Sequence, residues 1–168
     1  MKEIIELSTK TISVKRNEFI KISGTVDTNI YYIVNGSVKL FILEGDQEQI
    51  IRFGYKGNII VALDAFISGK PSNLYIQAIK KSTIKVITKA QLYHFLQTNQ
   101  QHQLWIHILE DLVLQQLERE VDILTSSPKE RYRRVKERSP QLFQEIPNRY
   151  IANYLRMSAE TLSRLKKS

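Results

Sequence analysis

The chain has 168 residues, 42% of them hydrophobic and 25% charged, with a formal net charge of +8 and no cysteine. That length and apolar content suffice for one ordinary domain or two small ones with a real core, and they exclude a disordered or low-complexity chain. Without cysteine there is no disulfide, thiolate zinc site, cysteine-ligated iron–sulfur cluster or thiol redox sensor. No apolar run reaches eighteen residues, and the N-terminal MKEIIELSTK lacks the apolar core and cleavage site of a secretory signal, so a cytoplasmic protein is expected.

The first ninety residues alternate like an antiparallel β-structure. Strands are predicted over Thr11–Val14, Glu18–Ile22, Asn29–Val34, Val38–Leu43, Gln47–Phe53, Asn58–Val61, Asn73–Ile79 and Thr83–Ile87, all rich in Ile, Val, Tyr and Phe. Their short, regular spacing predicts a barrel or sandwich. Asn35-Gly36 between two apolar runs predicts a type I′ hairpin, and Gly54 and Gly57 are expected to bracket a second turn. Thr88 is placed to cap a short helix through Leu96, followed by a polar break at 97–103.

A much longer helix is expected from about Leu104 to Leu124. Leu114, Leu117, Val121 and Leu124 recur at spacings of three and four, thickened by Ile108, Leu109, Leu112 and Val113. Such a stripe needs a partner, either the β-structure of the same chain or the same helix in a second subunit. The dimer reading assigns Leu109, Leu112, Leu117, Val121 and Leu124 to the seam. Ser126, Ser127 and Pro128 then mark a hinge.

The charge is concentrated beyond that hinge. From residue 126 onward there are eleven Lys and Arg against four Glu, a net +7, which leaves +1 for residues 1–125. A local excess of that size attracts a polyanion through counterion release. The final segment, PNRYIANYLRMSAETLSRLKK from Pro147 to Lys167, reads as two short helices joined by a tight turn. Pro147 suits a first helical position, Ile151 and Leu155 share a face, and Ala152 permits a close crossing. Ser158 is a natural N-cap for the second helix, with Glu160 in its first turn. With Leu162 and Leu165 inward, Glu160, Ser163, Arg164 and Lys167 fall on one exposed stripe. Arg can donate bidentately to guanine, Glu can accept from cytosine and Ser can do either. Ser158, Thr161, Lys166, Lys167, Arg149, Lys129 and Arg133 are candidate phosphate or flanking contacts.

The order of β-roll, long helix, Ser-Pro hinge and paired helices resembles the Crp/Fnr family of bacterial transcription regulators. The resemblance runs through YYIVNGSVKLF at 31–41, SPKERYRRV at 127–135 and IPNRYIANYLRMSAETLSRLKK at 146–167. It implies an α+β fold: a jelly-roll-like antiparallel β-roll over 1–99, a long dimerisation helix over 100–126 and a small all-α helix-turn-helix domain over 127–168. It further implies a homodimer on a two-fold symmetric operator in double-stranded DNA, with half-sites roughly 34 Å apart. Glu160 and Arg164 are then the base readers, and RNA polymerase is a candidate partner. No full wing is expected after the second helix.

The chain departs from the family in its nucleotide cassette. Members that bind a cyclic nucleotide carry a Gly-Glu pair for the ribose and an Arg shortly after a Pro for the phosphate. Here Val61 and Ala62 stand at the pair, and Ser72 follows Pro71 where Arg is expected. A buried phosphate without a cationic partner loses its charge-assisted hydrogen bonds, so cyclic AMP is not expected as a cofactor. A weak effector pocket would comprise Ala62, Lys70, Ser72 and Asn73. Arg156 occupies the turn between the paired helices, where the family often has Gly. His94, His102 and His107 lack helix-face spacing for a metal pair, and no metal site is expected. Nothing resembles a Gly-rich phosphate loop, an HExxH or a GxSxG elbow, so an enzyme is not expected. The alternative to a regulator is a small-molecule-binding or protein-interaction module that no longer reads DNA.

Overall fold

The computed structural model describes residues 2–98 and 102–167. The chain divides after residue 100 into two compact units. The first begins with a one-turn helix, α1 (Lys2–Glu6), that buries Ile4. Eight strands follow: β1 (Lys10–Val14), β2 (Phe19–Lys21), β3 (Ile30–Asn35), β4 (Ser37–Glu44), β5 (Gln47–Tyr55), β6 (Ile59–Val61), β7 (Tyr75–Ala78) and β8 (Ser82–Ile87). Helix α2 (Leu63–Ser68) lies between β6 and β7, and α3 (Lys89–Thr98) follows β8. All eight expected strands form, because each pairs a β-branched or aromatic sequence with an inward apolar face.

The strands make two four-stranded antiparallel sheets, ordered β1-β8-β3-β6 and β2-β7-β4-β5. Between them lies a core of Tyr31, Ile33, Val38, Leu40, Ile60, Ile76 and Ile84, with both sheets contributing. Full burial of a side chain such as Ile33 stabilises by about 1.5–3 kcal/mol.

Two turn expectations are corrected. Asn35-Gly36 is not a hairpin, because β3 and β4 belong to different sheets and do not pair. Only Gly36 has positive φ (93°), whereas a type I′ turn needs it at both residues. The chain turns there from one sheet to the other, and a Cβ on Gly36 would lie 2.3 Å from Ser82 Oγ and 2.5 Å from Lys81 O. Gly54 does not bracket a turn either. It lies inside β5, where the absent Cβ makes room for Ile60, whose Cγ1 would otherwise be 2.4 Å away. The turn itself is closed by Asn58 N–H donating to Tyr55 O at 2.9 Å, with Gly57 at φ 91°.

Thr88 caps α3 as expected, its Oγ1 accepting from Gln91 N–H at 3.1 Å, and the helix runs on to Thr98. Of the polar break, Gln97 and Thr98 end α3, His102 and Gln103 open the next helix, and 99–101 lie outside the described residues. The second unit contains α4 (His102–Leu124), α5 (Pro128–Arg138), α6 (Leu142–Glu145), α7 (Asn148–Tyr154) and α8 (Ala159–Lys167). Ser127 caps α5, accepting from Glu130 N–H at 3.3 Å, with Pro128 in the first turn. Tyr132, Val135, Leu142, Ile146, Ile151, Leu155 and Leu162 form this unit's core.

Candidate functional site

In the second unit, α7 and α8 pack through Ile151, Ala152, Leu155 and Leu162, each at most 3% exposed. The tight turn between them follows from local hydrogen bonding. Arg156 N–H donates to Asn153 O and Met157 N–H to Ala152 O, both at 3.0 Å. Arg156 itself is left-handed, at φ 54°, so the position where glycine is common does take the glycine conformation. Ser158 then caps α8, accepting from Thr161 N–H at 3.1 Å, while its hydroxyl lies 2.9 Å from Thr161 Oγ1. Leu162 is fully buried and Leu165 half-buried, so the amphipathic face is as the sequence spacing predicts.

On the opposite face Glu160, Ser163, Arg164 and Lys167 are all exposed. Glu160 and Arg164 form an i,i+4 ion pair with side chains 74% and 78% exposed. Such a pair is worth only a few tenths of a kcal/mol, so either member can be drawn to another partner at little cost. Lys166 Nζ donates to Asn148 Oδ1 at 2.8 Å, joining α8 to the start of α7. Arg149 is exposed and stacked on Tyr150, 4.5 Å from the ring centroid.

The basic run of α5 is organised differently from its sequence appearance. Arg133 donates to both Glu130 and Glu137, and its hydrogen bonds hold the Glu130 carboxyl below the ordinary range. Arg131 is buried, and Arg134 and Arg138 grip Asp122 and Glu118 on α4. Lys129 and Lys136 remain exposed. Lys129 is thus an exposed cation, whereas the charge of Arg133, also exposed, is shared between two carboxylates of the same helix.

Along α4, Leu117, Val121 and Leu124 are 52%, 47% and 76% exposed, and Val113 and Leu114 are exposed beside them. Leu109 is half-buried. Leu112, assigned to the seam by its sequence spacing, is instead buried at 9%, so it is not on the open face. His102 and His107 are exposed, and His107 lies 3.1 Å from Glu110. No group of metal ligands occurs among the described residues.

In the β-roll, a cavity of about 430 Å³ opens beside β2 and the start of β3, lined by Phe19, Lys21, Thr25, Asp27 and Tyr31 among others. The four residues expected to form an effector pocket do not line it. Ala62 and Ser72 are buried, whereas Lys70 and Asn73 are exposed. The charge at this site comes from a residue the sequence did not single out. Lys21 is 4% exposed, and its ammonium donates to Ile22 O at 3.0 Å, Ser72 O at 3.2 Å and Leu74 O at 2.8 Å. Burial lowers its pKa, with Asp27 and Asp64 opposing the shift. The Leu74 N–H is satisfied by Ser72 Oγ at 3.1 Å. The segment following Pro71 thus turns carbonyls toward a cation of its own chain. Tyr31 donates to Asp27 Oδ2 at 2.7 Å, and Asn29 N–H to Asp27 Oδ1 at 2.9 Å, so the cavity's carboxylate is likewise engaged. The signal that could have found Lys21 is a lone lysine between Ile20 and Ile22 in a strand-forming apolar run, where its charge must reach either solvent or acceptors of the fold.

Comparison with solved structures places this arrangement among known folds. FixK2 from Bradyrhizobium japonicum superposes with a TM-score of 0.76 at 20% identity, covering 94% of this chain and 82% of that one. The catabolite activator protein of Thermus thermophilus gives 0.58 at 17%, covering 99% and 80%. CLP, described as a c-di-GMP responsive global regulator of Xanthomonas campestris, gives 0.66 at 14%, covering 99% and 88%. No curated protein sequence matches the chain. The cyclic nucleotide-binding domain family matches residues 11–99, the stretch that folds into the two facing sheets and α3. That match takes in more than half of the sequence, and the chain belongs to the cyclic nucleotide-binding domain family.

Proposed function

We propose that the protein is a sequence-specific DNA-binding transcription regulator of the Crp/Fnr type, in which α7, the turn and α8 form the helix-turn-helix. The observation that carries this reading is the exposed Glu160, Ser163, Arg164 and Lys167 stripe on a helix whose opposite face is buried through Leu162. A capped, amphipathic helix with bidentate donors and acceptors on its free face is suited to the major groove. Ser158 and Thr161 at the start of α8, with Lys166, Arg149 and Lys129, are suited to flanking phosphates. The fold similarity to a catabolite activator protein and to a global regulator supports the same reading.

The protein acts as a homodimer along α4. The exposed run of Val113, Leu114, Leu117, Val121 and Leu124 is the kind of seam an identical helix covers. The β-roll does not use cyclic AMP in the usual mode, because the segment that would face the phosphate presents carbonyls held by Lys21. The protein is a cytoplasmic regulator rather than an enzyme, needs no cofactor or metal, and has RNA polymerase as a further partner. No helix among the described residues is long and apolar enough to cross a membrane.

Selection of bound duplexes from a random pool at physiological salt tests the reading. Wild type should enrich a palindrome with half-sites about one helical turn apart, and Arg164→Ala should lose about 1–3 kcal/mol of discrimination at one base position. A wild-type pool with no enriched motif, even with cell extract added, would count against it. Sedimentation of Leu117→Asp, expected to be monomeric where wild type is dimeric, tests the seam.

A further inference from the structure

We infer that Arg131 is a positioning residue, one that fixes the α7–α8 pair to the end of α4 and so sets how α8 is presented. The inference rests on the DNA-reading role proposed for α8. Sequence reasoning leaves Ser126–Pro128 as a free hinge between the long helix and the basic end. The structure fills that hinge. The Arg131 side chain is 8% exposed, and its guanidinium reaches two places remote from each other in sequence. Nη1 donates to Thr125 O at 2.6 Å and Ser126 O at 2.9 Å, where α4 ends. Nε donates to Leu155 O at 2.8 Å and Nη2 to Arg156 O at 3.0 Å, in the turn between α7 and α8.

Four carbonyls are thus held by one planar, permanently charged group with fixed donor directions. The hydrogen bonds to Leu155 and Arg156 also satisfy carbonyls that a helix end and a left-handed residue leave without intrahelical partners. A lysine, with a compact rotating ammonium, could not span both places.

Further contacts brace the same junction. Asp122, fully buried, accepts from Arg134 Nε at 3.1 Å and from Arg138, and Glu118 accepts from both arginines at 3.0 Å. Arg119 stacks on Tyr154 of α7, 3.6 Å from the ring centroid. Glu118, Arg119, Asp122 and Thr125 recur at i, i+1, i+4 and i+7, which is one face of α4. Leu117, Val121 and Leu124 lie on another face and remain exposed. One side of the helix end therefore grips α5 and α7 while the other is free for a second copy. Any setting of the two long helices against each other is carried directly to α8, and the half-site spacing of the operator follows from it.

The absence of cysteine makes a direct test clean. Spin labels on Gln115→Cys and Lys167→Cys, both exposed positions, report the distance between α4 and the end of α8 when labelled protein is diluted into unlabelled. Wild type should give one narrow distance. Arg131→Met should broaden and shift it while far-ultraviolet circular dichroism stays helical, and Arg131→Lys should not restore it. If Arg131→Met does not fold, Arg131→Gln takes its place in the same measurement. Unchanged distances in the folded variant would overturn the inference. In the duplex selection, wild type should enrich one half-site spacing, and the variant should also accept spacings one base pair shorter and longer. A residue serving only stability would lower the denaturation midpoint and leave that spacing fixed, which would also overturn it. If wild type enriches no motif, the DNA reading fails, and the label distances still decide whether Arg131 positions α8.

Discussion

The β-roll and the C-terminal unit spend their polar groups in opposite directions. At the β-roll cavity the cation, the carboxylate and the phenol are turned on the chain itself: Lys21 on three carbonyls, Tyr31 and Asn29 on Asp27. In the C-terminal unit, Glu160 and Arg164 stand in solvent on a helix held from behind. A polar group closed on internal partners offers nothing to a ligand without first losing them, whereas an exposed pair can be redirected cheaply. The same contrast divides the basic run of α5. Of the six cations between Lys129 and Arg138, Arg131 is closed on backbone carbonyls and Arg134 and Arg138 on the buried Asp122, whereas Arg133 pairs with Glu130 and Glu137 in solvent, as Arg164 does with Glu160. The excess of positive charge survives in the sum, and Lys129, Lys136 and Arg149 present it to solvent beside the α8 stripe.

The sharpest way to break this contrast is to remove the anion at the C-terminal junction. Asp122→Ala leaves Arg134 and Arg138 without their buried partner and should cost about 3 kcal/mol, read as a fall in urea midpoint of the full chain. A loss under 1 kcal/mol would mean that Glu118 alone suffices to hold both arginines.

Lys21→Met tests the other side. It preserves volume but removes three charge-assisted hydrogen bonds, leaving Ser72 O to Gly24 N–H and Ile22 O to the Thr25 hydroxyl, and it should destabilise the chain by about 2 kcal/mol without creating cyclic AMP binding detectable by calorimetry. Acquired binding would show that the lysine, and not the altered cassette, keeps the nucleotide out.

Tyr31→Phe should be milder, about 1 kcal/mol at neutral pH, for one lost hydrogen bond to Asp27. Burial and that bond hold the Tyr31 hydroxyl well above its ordinary value of 10.0. The unfolded chain therefore loses this proton first, and the stability present below pH 10 is lost as pH rises above it. Tyr31→Phe should flatten that alkaline decline in urea midpoints measured from pH 9 upward. Lys21 contributes the reverse slope, since its lowered folded pKa relieves the cost of burying a charge as pH approaches 10.5.

The smallest effect is expected at the turn. Arg156→Gly relieves a left-handed side chain and should raise stability by at most about 1 kcal/mol, provided that the Arg131 bond to the residue 156 carbonyl is kept. A destabilisation would locate a contribution in the Arg156 side chain itself.

What could be read from the sequence here is what local physics controls. The alternation that marks β1 to β8, the apolar repeat of α4, the capping of α3 by Thr88 and of α8 by Ser158, and the exposed stripe from Glu160 to Lys167 each involve residues within one turn or one strand. Their energetics barely depend on the rest of the chain. The tertiary structure alone decided which strands pair, so that Asn35-Gly36 became a passage between sheets and Gly54 a seat for Ile60. It also decided the fate of Lys21, whose carbonyl partners at Ser72 and Leu74 lie fifty-one and fifty-three residues away, and of Arg131, whose partners at Leu155 and Arg156 lie on the far side of two intervening helices. A charged side chain is costly to bury unless acceptors converge on it, and convergence is set by the folded backbone, which no local spacing records.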